Sequence, residues 1–468
     1  MTEPTALVVR AVETGVRPVR LRLPFRFGAN TLTACPQLFV RVSVEVNGRG
    51  TAQGSAAELM VPKWFDKRAE FTPADNVNHL AASVTQAAQL YLDDTPATAF
   101  GLFARHYLEV MRAGEARHLT ELSAAFGQAV IDRAIIDALC HALGTSFFEA
   151  ARRNALGLCD SQLAVDMRGW DWSSWLPQLE PLRRIEARHT VGMLDELDDV
   201  HYGDDGLPIS LRAVIARYGH RCFKIKLGGD PVRDLQRLRA VLAVLDSEVG
   251  TYRYTVDGNE QYKSADSLRE LLAGLRALPA PLYIEQPIAR ELSLSTPLPD
   301  ADAAAPLLMD EADGTLDAFA QGRELGWTGV SSKACKGVYK ALINRARCER
   351  WNLDAGTSRY FMSAEDLTCQ AGVSVQQDLA LAALLGLPHS ERNGHHYADG
   401  LAGSPRDEQL AFTQAHPDLY SPAPAGHPRL RIAGGVIALD SLFQPGYAHS
   451  ADPDMAQTQT LDQCVSML

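Results

Sequence analysis

The sequence predicts an α/β protein whose larger part is a (β/α)8 barrel of the TIM type, with an α+β unit in front of it. Three observations lead to this prediction. Strand-like and helix-like stretches are segregated up to about residue 155, and they alternate with short loops from about residue 185. In the second part, five successive strand-like stretches also end on a charged residue, as expected for one mouth of a barrel.

The first part of the chain groups its strands before its helices. Residues 17–53 read as strands, with alternating stretches such as VRLRLPFRF and LFVRVSVEVNGRG. Residues 75–155 instead carry apolar side chains at three- and four-residue intervals, which is typical of amphipathic helices, and Gly144 is placed to end one of them. We therefore predict an α+β domain over residues 1–155.

The second part alternates short apolar runs with amphipathic helices. The runs are RHTVGML, CFKIKLG, YRYTVDGN, PLYIEQP, PLLMDEA and TGVSSKACK. After KIKLGG, Asp230 is suited to cap a helix and Pro231 to occupy its first position. The steps between the charged strand ends are 31, 28, 25 and 23 residues, close to the roughly 31 residues per unit of a barrel of about 250 residues. This predicts a barrel domain over residues 156–405 and a C-terminal segment over residues 406–468.

The charged strand ends predict a metal-assisted reaction on a carboxylic acid. In order they are Lys224 and Lys226, Asp257, Glu285, Asp310 and Lys333. Three carboxylates on adjacent strands repel one another unless a cation lies between them, and oxygen ligands favour Mg²⁺. A metal bound to a substrate carboxylate makes the α-proton removable, and a lysine with a lowered pKa is a suitable base.

The motifs KIK, DGN, IEQP and DE with a later strand-end lysine, in this order and spacing, resemble the enolase superfamily. They are most similar to the muconate lactonizing enzyme side of the mandelate racemase and muconate lactonizing enzyme group. The resemblance implies an enolase-like modified barrel with an N-terminal capping domain, to which GGVIALDSLFQPGYA (434–448) returns. It also implies a homo-oligomer that acts on a small carboxylate substrate.

The resemblance assigns roles to individual residues. It implies Mg²⁺ ligands at Asp257, Glu285 and Asp310, and an acid/base pair formed by Lys226 and Lys333. Lys224 would hold the substrate carboxylate and lower the pKa of Lys226. The implied reaction removes the α-proton through an enediolate and ends in racemisation or epimerisation, cycloisomerisation, or dehydration.

Several residues keep alternative interpretations. Glu311 competes with Asp310 as the third ligand, because adjacent strand residues face opposite ways. Lys336 competes with Lys333 as the acid/base group, or contacts substrate. Asn259 is a candidate contact for the metal or the substrate, or else a turn residue. Asp366 is a candidate substrate contact, or else a helix cap.

Four further side chains near these strand ends are undecided from sequence. Glu391, His395 and His396 fall where the eighth strand and its loop should lie, and either reach the mouth or are structural. Cys335 lies between Lys333 and Lys336 in the sequence, and their positive charges would activate its thiol if the three side chains lay on the same side of the chain. Two loops of the capping domain, 25–34 and 58–67, are expected to close over the barrel or pack against it, with Lys63 available for a second anion.

Composition excludes several classes of function. The 468 residues carry a net charge of −12 and no basic stripe with interleaved aromatics, which argues against nucleic-acid binding. No run of about 18 uncharged apolar residues occurs, so no membrane span is predicted. The N-terminal stretch lacks the pattern of a signal peptide, and eight scattered cysteines suit a reducing compartment, so a cytoplasmic protein is expected.

Three other functions remain as alternatives. One is an acid-sugar dehydratase of the same superfamily, and another is a non-catalytic barrel that keeps the fold. The third is a metal hydrolase of the amidohydrolase type, which would need an HxH pair on the first strand. RHTVGML offers only His189 there.

Overall fold

The computed structural model describes residues 4–298, 304–367, 370–421 and 426–468 of the chain. All of the candidate catalytic and metal-binding residues lie in these ranges, whereas Cys369 lies outside them. The seven cysteines within them are free thiols. No helix in the same ranges is long and apolar enough to cross a membrane.

The N-terminal part is an antiparallel sheet covered by helices. Its strands β1 (Leu7–Phe27), β2 (Asn30–Val46) and β3 (Gly50–Leu59) pair in that order. The helices that follow are α1 (Pro73–Tyr91), α2 (Ala99–Ala116), α3 (Glu121–Leu143) and α4 (Phe147–Arg152). Helix α3 is buried along most of its length and ends at Gly144 in a left-handed conformation, as predicted.

Gly54 explains how closely the sheet approaches helix α3. A Cβ atom at this position would lie 2.2 Å from the backbone nitrogen of Ala138 and 2.3 Å from the carbonyl oxygen of Ala134. Only a residue without a side chain lets β3 pack against α3 at this distance. The sheet and the helix thereby share one apolar core.

Eight parallel strands form the closed barrel that the sequence predicts. In chain order they are β4 (Arg184–Val191), β5 (Cys222–Lys226), β6 (Arg253–Asp257), β7 (Ile284–Glu285), β8 (Leu307–Met309), β9 (Gly329–Ser332), β10 (Phe361–Ala364) and β11 (His389–Arg392). Each strand pairs with the next along the chain, and β11 pairs with β4 to close the ring. The predicted fold class, a TIM-type barrel with an N-terminal α+β domain, is confirmed.

Helices connect the strands and cover the outside of the barrel. After α5 (Trp172–Trp175), which precedes the barrel, they are α6 (Leu211–Tyr218), α7 (Pro231–Glu248), α8 (Ala265–Leu275), α9 (Arg290–Ser293), α10 (Ala318–Glu324), α11 (Val338–Ala355), α12 (Val373–Leu384) and α13 (Gly394–Tyr397). Asp230 caps α7 by accepting hydrogen bonds from the backbone of Val232 and Arg233, as its position in the sequence predicts.

The C-terminal segment contacts both the barrel and the N-terminal sheet. It contains α14 (Arg406–Ala415), the short pair β12 (Tyr420–Ser421) and β13 (Arg429–Leu430), and β14 (Val436–Ala438). Strand β14 runs antiparallel to the first residues of β4, and Gln459 exchanges two backbone hydrogen bonds of 2.9 Å with Val16 of β1. The domain boundaries at residues 155 and 405 stay predictions.

Candidate active site

The carboxyl ends of the barrel strands gather the charged residues at one mouth. On β5 the alternation of side chains turns Lys224 and Lys226 toward the barrel interior, where they are 1% and 5% exposed. Asp257 and Glu285 lie at the ends of the next two strands, paired with each other in the sheet register. Asp310 follows β8 directly.

Lys224 lies deepest and contacts four carboxylates. Its ammonium nitrogen is 2.6 Å from Glu285, 2.8 Å from Glu365, 2.9 Å from Glu391 and 3.0 Å from Asp257. Burial alone would lower the pKa of Lys224, but these carboxylates outweigh it and raise the pKa well above its usual value. Lys224 is therefore a fixed positive charge inside the barrel.

Lys226 lies nearer the mouth and contacts the end of β6. Its ammonium group donates hydrogen bonds to Asp257 Oδ2 at 2.6 Å and to Asn259 Oδ1 at 2.8 Å. It also lies 5.7 Å from the ring centre of Phe25, which comes from the N-terminal sheet. Asn259 thus contacts one of the candidate catalytic lysines directly.

Lys333 occupies the corresponding place on the other side of the mouth. Its ammonium group donates to Asp310 Oδ2 at 2.7 Å and lies 4.4 Å from the ring centre of Trp64. Burial would lower the pKa of Lys333, but Asp310 outweighs that effect and raises it. Lys336 instead donates to the backbone oxygen of Asp310 at 2.9 Å and to Asp313 at 3.1 Å.

A narrow cleft brings the two lysines together. Both Lys226 and Lys333 line it, whereas Lys224 and Lys336 are not among its lining residues in the described ranges. Among the described residues, the lining consists of Phe25, Phe27, Val61, Trp64, Lys226, Asn259, Lys333, Asp366, Leu367, Glu391 and Asn393. Four of these side chains are apolar or aromatic and belong to the N-terminal domain, so that domain closes one side of the cleft.

Charged contacts fasten the second N-terminal loop over the barrel. Arg290 donates hydrogen bonds to the backbone oxygens of Trp64 at 2.9 Å and Phe65 at 2.8 Å. Lys67 lies 2.5 Å from Glu260 and 2.8 Å from Glu311, both on the barrel. Lys63 donates to the backbone oxygens of residues 68 and 71, which turns its ammonium group to the loop itself.

The three predicted metal ligands form an oxygen-only donor set that suits a hard divalent cation. Neither carboxylate oxygen of Glu285 has a hydrogen-bond partner in the described part of the chain. Burial, followed by repulsion from Asp257 and Glu365, raises the pKa of Glu285 well above its usual value. A cation at this carboxylate would relieve that cost, so these residues fit Mg²⁺.

The same three carboxylates are not gathered into one compact group. The ligand oxygens of the three acids do not form a group within 4.8 Å of one another among the described residues. The Lys224 ammonium bridges Asp257 and Glu285, approaching Glu285 outside the directions that a hydrogen bond requires. Mg²⁺ would therefore share these two carboxylates with Lys224.

Glu311, the alternative to Asp310, also points toward the mouth. Its Oε1 accepts hydrogen bonds from Lys67 at 2.8 Å and from the Asn259 side chain at 3.1 Å, whereas Oε2 has no partner among the described residues. Asp310 contacts Lys333 on the neighbouring strand. The choice between the two as a metal ligand stays a prediction.

Glu365 is a buried acidic residue of the barrel that the sequence interpretation missed. It contacts Lys224 at 2.8 Å and forms an ion pair with Arg188. The neighbouring Asp366 accepts a hydrogen bond from the backbone of Asn393 at 2.8 Å. Sequence alone did not indicate this position; in the structure, Ser363 and Glu365 share the inner face of the strand, where Ser363 also contacts Arg188.

The residues of the eighth strand separate into two environments. Glu391 reaches the interior, where it contacts Lys224 and accepts a 2.6 Å hydrogen bond from Thr190. His395 and His396 lie on α13 and, in the described part of the chain, do not line the cleft.

Cys335 is buried, and burial raises the pKa of its thiol well above its usual value, so the neighbouring lysines do not activate it.

Comparison with known proteins supports the interpretation of the fold. Residues 209–410 match the family model described as enolase C-terminal domain-like. No curated protein matches the chain.

Solved structures with a similar fold cover almost the whole chain. Muconate lactonizing enzyme from Klebsiella pneumoniae has a TM-score of 0.62 at 16% identity, over 97% of this chain and 100% of that chain. The 2-chloromuconate cycloisomerase from Rhodococcus opacus 1CP gives 0.61 at 15% identity, over 97% and 100%. A dipeptide epimerase from Enterococcus faecalis V583, complexed with Mg and the dipeptide L-Leu-L-Tyr, gives 0.58 at 13% identity, over 92% and 99%.

The sequence motifs, the closed barrel with its charged mouth and the family match agree with one another. Residues 209–410 therefore match the enolase C-terminal domain-like family, and the whole chain shares its fold with solved muconate lactonizing enzyme, cycloisomerase and dipeptide epimerase structures.

Proposed function

We propose that this protein is an enzyme that removes the α-proton of a small carboxylate substrate with the help of Mg²⁺. The observation that carries the proposal is the placement of Lys226 and Lys333 in one cleft, each hydrogen-bonded to a carboxylate at the end of a different barrel strand. A substrate between them would present its α-carbon to one ammonium or amine group on each side.

The roles follow from the contacts of each residue. Asp257, Glu285 and Asp310 would hold the metal, which supplies positive charge to the substrate carboxylate and thereby stabilises an enediolate. One lysine, as the neutral amine, takes the α-proton, and the other, as the ammonium form, can return a proton to the opposite face. Two such groups suit racemisation or epimerisation, whereas cycloisomerisation and dehydration need only one of them as the base.

The apolar side of the cleft favours a substrate with an apolar or aromatic part. Phe25, Phe27, Val61 and Trp64 lie there, opposite the polar residues of the barrel mouth. They would exclude water from the proton-transfer step and bind the part of the substrate away from its carboxylate. This favours cycloisomerisation or racemisation over the dehydration of a polar acid sugar.

Exchange of the substrate α-proton with D₂O tests the proposal before the overall reaction is known. The purified protein with Mg²⁺ would be screened against acid sugars, N-acyl amino acids, dipeptides and lactones. With an active compound, Lys226→Met and Lys333→Met should each slow exchange at one face by about 10²–10⁴-fold. Lys336→Met, from outside the cleft lining, is the matched control and should keep measurable exchange.

The outcomes separate this proposal from its alternatives. Exchange at the wild-type rate in both Lys226→Met and Lys333→Met would contradict the lysine mechanism. The absence of exchange with every compound class, together with no Mg²⁺ uptake, would favour the non-catalytic barrel. Cytoplasmic location and assembly into homo-oligomers remain part of the proposal. Gel filtration with light scattering tests the oligomeric state.

A further inference from the structure

Three histidines far apart in sequence meet behind the wall of the barrel. They are His189 on β4, His220 just before β5 and His395 on α13, and all three are at most 4% exposed. One nitrogen from each ring lies within 4.8 Å of the other two. His395 Nε2 is the meeting point, 3.3 Å from His189 Nδ1 and 3.2 Å from His220 Nε2.

This cluster is separate from the cleft. Arg188 and Thr190, on either side of His189, both face the barrel interior, where they contact Glu365 and Glu391. Successive side chains of a strand point to opposite faces, so His189 points outward to the helix layer. The cluster therefore lies outside the barrel wall and has no part in the proton transfer proposed above.

Hydrogen bonding among the three rings leaves a nitrogen lone pair without a donor. His220 Nδ1 lies 3.0 Å from the backbone oxygen of Ala187 and must donate its proton there, so its Nε2 carries a lone pair. His395 Nε2 can bear only one proton to share between two neighbouring nitrogens.

A metal ion would satisfy all three nitrogens at once. Two nitrogens bound to Zn²⁺ in tetrahedral geometry, with Zn–N distances of about 2.0–2.1 Å, lie about 3.3–3.4 Å apart. The two distances measured at His395 are close to this value. The bond from His220 Nδ1 to a backbone oxygen is also the contact that commonly orients a metal-binding histidine.

We propose that His189, His220 and His395 bind one divalent transition-metal ion, Zn²⁺, as a structural site distinct from the Mg²⁺ site proposed at the carboxylates of the barrel mouth. Neutral imidazole nitrogens favour Zn²⁺ and its neighbours over Mg²⁺, which prefers oxygen.

His396 belongs to a second group of possible ligands with His189 and Asp195. We favour the three-histidine site because Asp195 already accepts hydrogen bonds from Gly192 at 2.8 Å and from Tyr397 at 2.9 Å. His396 is also 3.8 Å from Asp195, farther than the contacts among the three histidines. This makes His396 a matched control, since it neighbours a proposed ligand and is equally buried.

The ion would tie the last barrel strand to the first. His395 follows β11 by three residues, while His189 lies on β4, the strand that β11 pairs with to close the barrel. Helix α13 also contacts the N-terminal domain, through the ring of Tyr397 against Phe25 at 4.5 Å. Phe25 in turn lines the cleft, so metal binding would stabilise one wall of the active site without touching substrate.

Cobalt binding tests the proposal. Metal-stripped protein in millimolar Mg²⁺, which occupies the carboxylate site, should take up one equivalent of Co²⁺ and develop the visible absorption of tetrahedral cobalt. His395→Gln and His220→Gln should abolish this absorption. His396→Gln and Glu285→Gln should keep it, the second because the carboxylate site is not involved.

Zinc-loaded Glu285→Gln protein gives a test that does not depend on the folding of a histidine variant. X-ray absorption should show nitrogen ligands at about 2.0 Å, typical of imidazole bound to Zn²⁺. The proposal is overturned if the wild type takes up no Co²⁺ in excess Mg²⁺, or if the zinc ligands are all oxygen. It is equally overturned if the cobalt absorption survives in His395→Gln or disappears in His396→Gln.

Discussion

The ring of Trp64 covers the ammonium group of Lys333 at 4.4 Å, so a side chain of the N-terminal domain directly contacts a candidate catalytic lysine of the barrel. An aromatic face attracts a cation by about 0.5–2 kcal/mol, depending on how far water is excluded. Lys226 has a longer contact of the same kind with Phe25, at 5.7 Å. The N-terminal domain thus contributes both to the shape of the cleft and to the surroundings of its two lysines.

Replacing Trp64 tests this contact. Trp64→Leu removes the aromatic face and opens the cleft, so we expect α-proton exchange to slow by about 10-fold, the equivalent of about 1.4 kcal/mol. Trp64→Phe keeps an aromatic ring and should lose less. Exchange measured in D₂O checks both variants, and equal rates in wild type and Trp64→Leu would show that the contact does not affect catalysis.

Metal removal should abolish exchange if the three carboxylates hold Mg²⁺. Treatment with a chelator should stop exchange, and Mg²⁺ alone should restore it. Glu285→Gln removes one charge from the ligand set and should raise the Mg²⁺ concentration needed for half-maximal exchange by at least about 10-fold. Glu291→Gln, on the nearby helix α9, is a comparison that leaves the barrel interior unchanged.

The buried charge of Lys224 should be needed for folding as well as for the site. Lys224→Met leaves four buried carboxylates without their shared cation, which should lower the free energy of unfolding by about 3–5 kcal/mol. Urea denaturation measures the change. Arg233→Met, at a side chain that is 85% exposed, is the control and should shift stability by less than about 0.5 kcal/mol.

The pair His449 and Asp137 should make stability depend on pH. Burial would lower the pKa of His449, but Asp137 at 3.1 Å outweighs it and raises the pKa to about 9. Since this exceeds the value of about 6.5 in the unfolded chain, the stabilisation is complete below about pH 6.5 and is lost as the pH rises through about 9. The pKa of Asp137 is lowered, so its own contribution is lost only in acid, as the pH falls below about 4.

Unfolding experiments on His449→Gln check this dependence. The variant should be less stable than wild type by about 3 kcal/mol at pH 6, a difference that shrinks toward pH 10. His201→Gln, at an exposed histidine, should match the wild type at both pH values because solvent screens its charge. A difference for His449→Gln that stays constant with pH would show that packing, and not the ion pair, is responsible.

Gly54 should tolerate no side chain. Gly54→Ala places a methyl group against the backbone of α3, so we expect it to destabilise the protein by about 1–3 kcal/mol or to shift β3 away from the helix. Gly48→Asn, in an open turn with φ of 70°, should have little effect because asparagine tolerates this conformation. Thermal unfolding of the two variants compares them directly.

The barrel and its charged mouth were predictable because both depend on local sequence. Parallel strands in chain order bring their ends to one mouth, so charged residues at regular intervals predict a common site without any knowledge of long-range contacts. The helix caps at Asp230 and Gly144 were predictable for the same reason, because each cap depends only on neighbouring residues of the chain.

Contacts that depend on barrel closure were not predictable in this way. Glu365 reaches Lys224 because β10 lies across the barrel from β5, and sequence alone leaves open which of Glu365 and Asp366 faces inward. The histidine cluster requires β11 to pair with β4, about 200 residues earlier in the chain. His189 is the single histidine of RHTVGML, and His395 belongs to a histidine pair near the eighth strand. Neither motif indicates that the two side chains are in contact.

Strand β14 pairs with the N-terminal end of β4, and this has a consequence for folding during synthesis. Residues 436–438 leave the ribosome after about 250 further residues have followed β4, so the edge of β4 stays uncovered while the rest of the barrel is made. Pairing over such a sequence separation is slow, and unpaired strand edges favour aggregation. Pairing of β14 with β4 is therefore a late step of folding, and chains cut before residue 436 should aggregate more readily than the full chain.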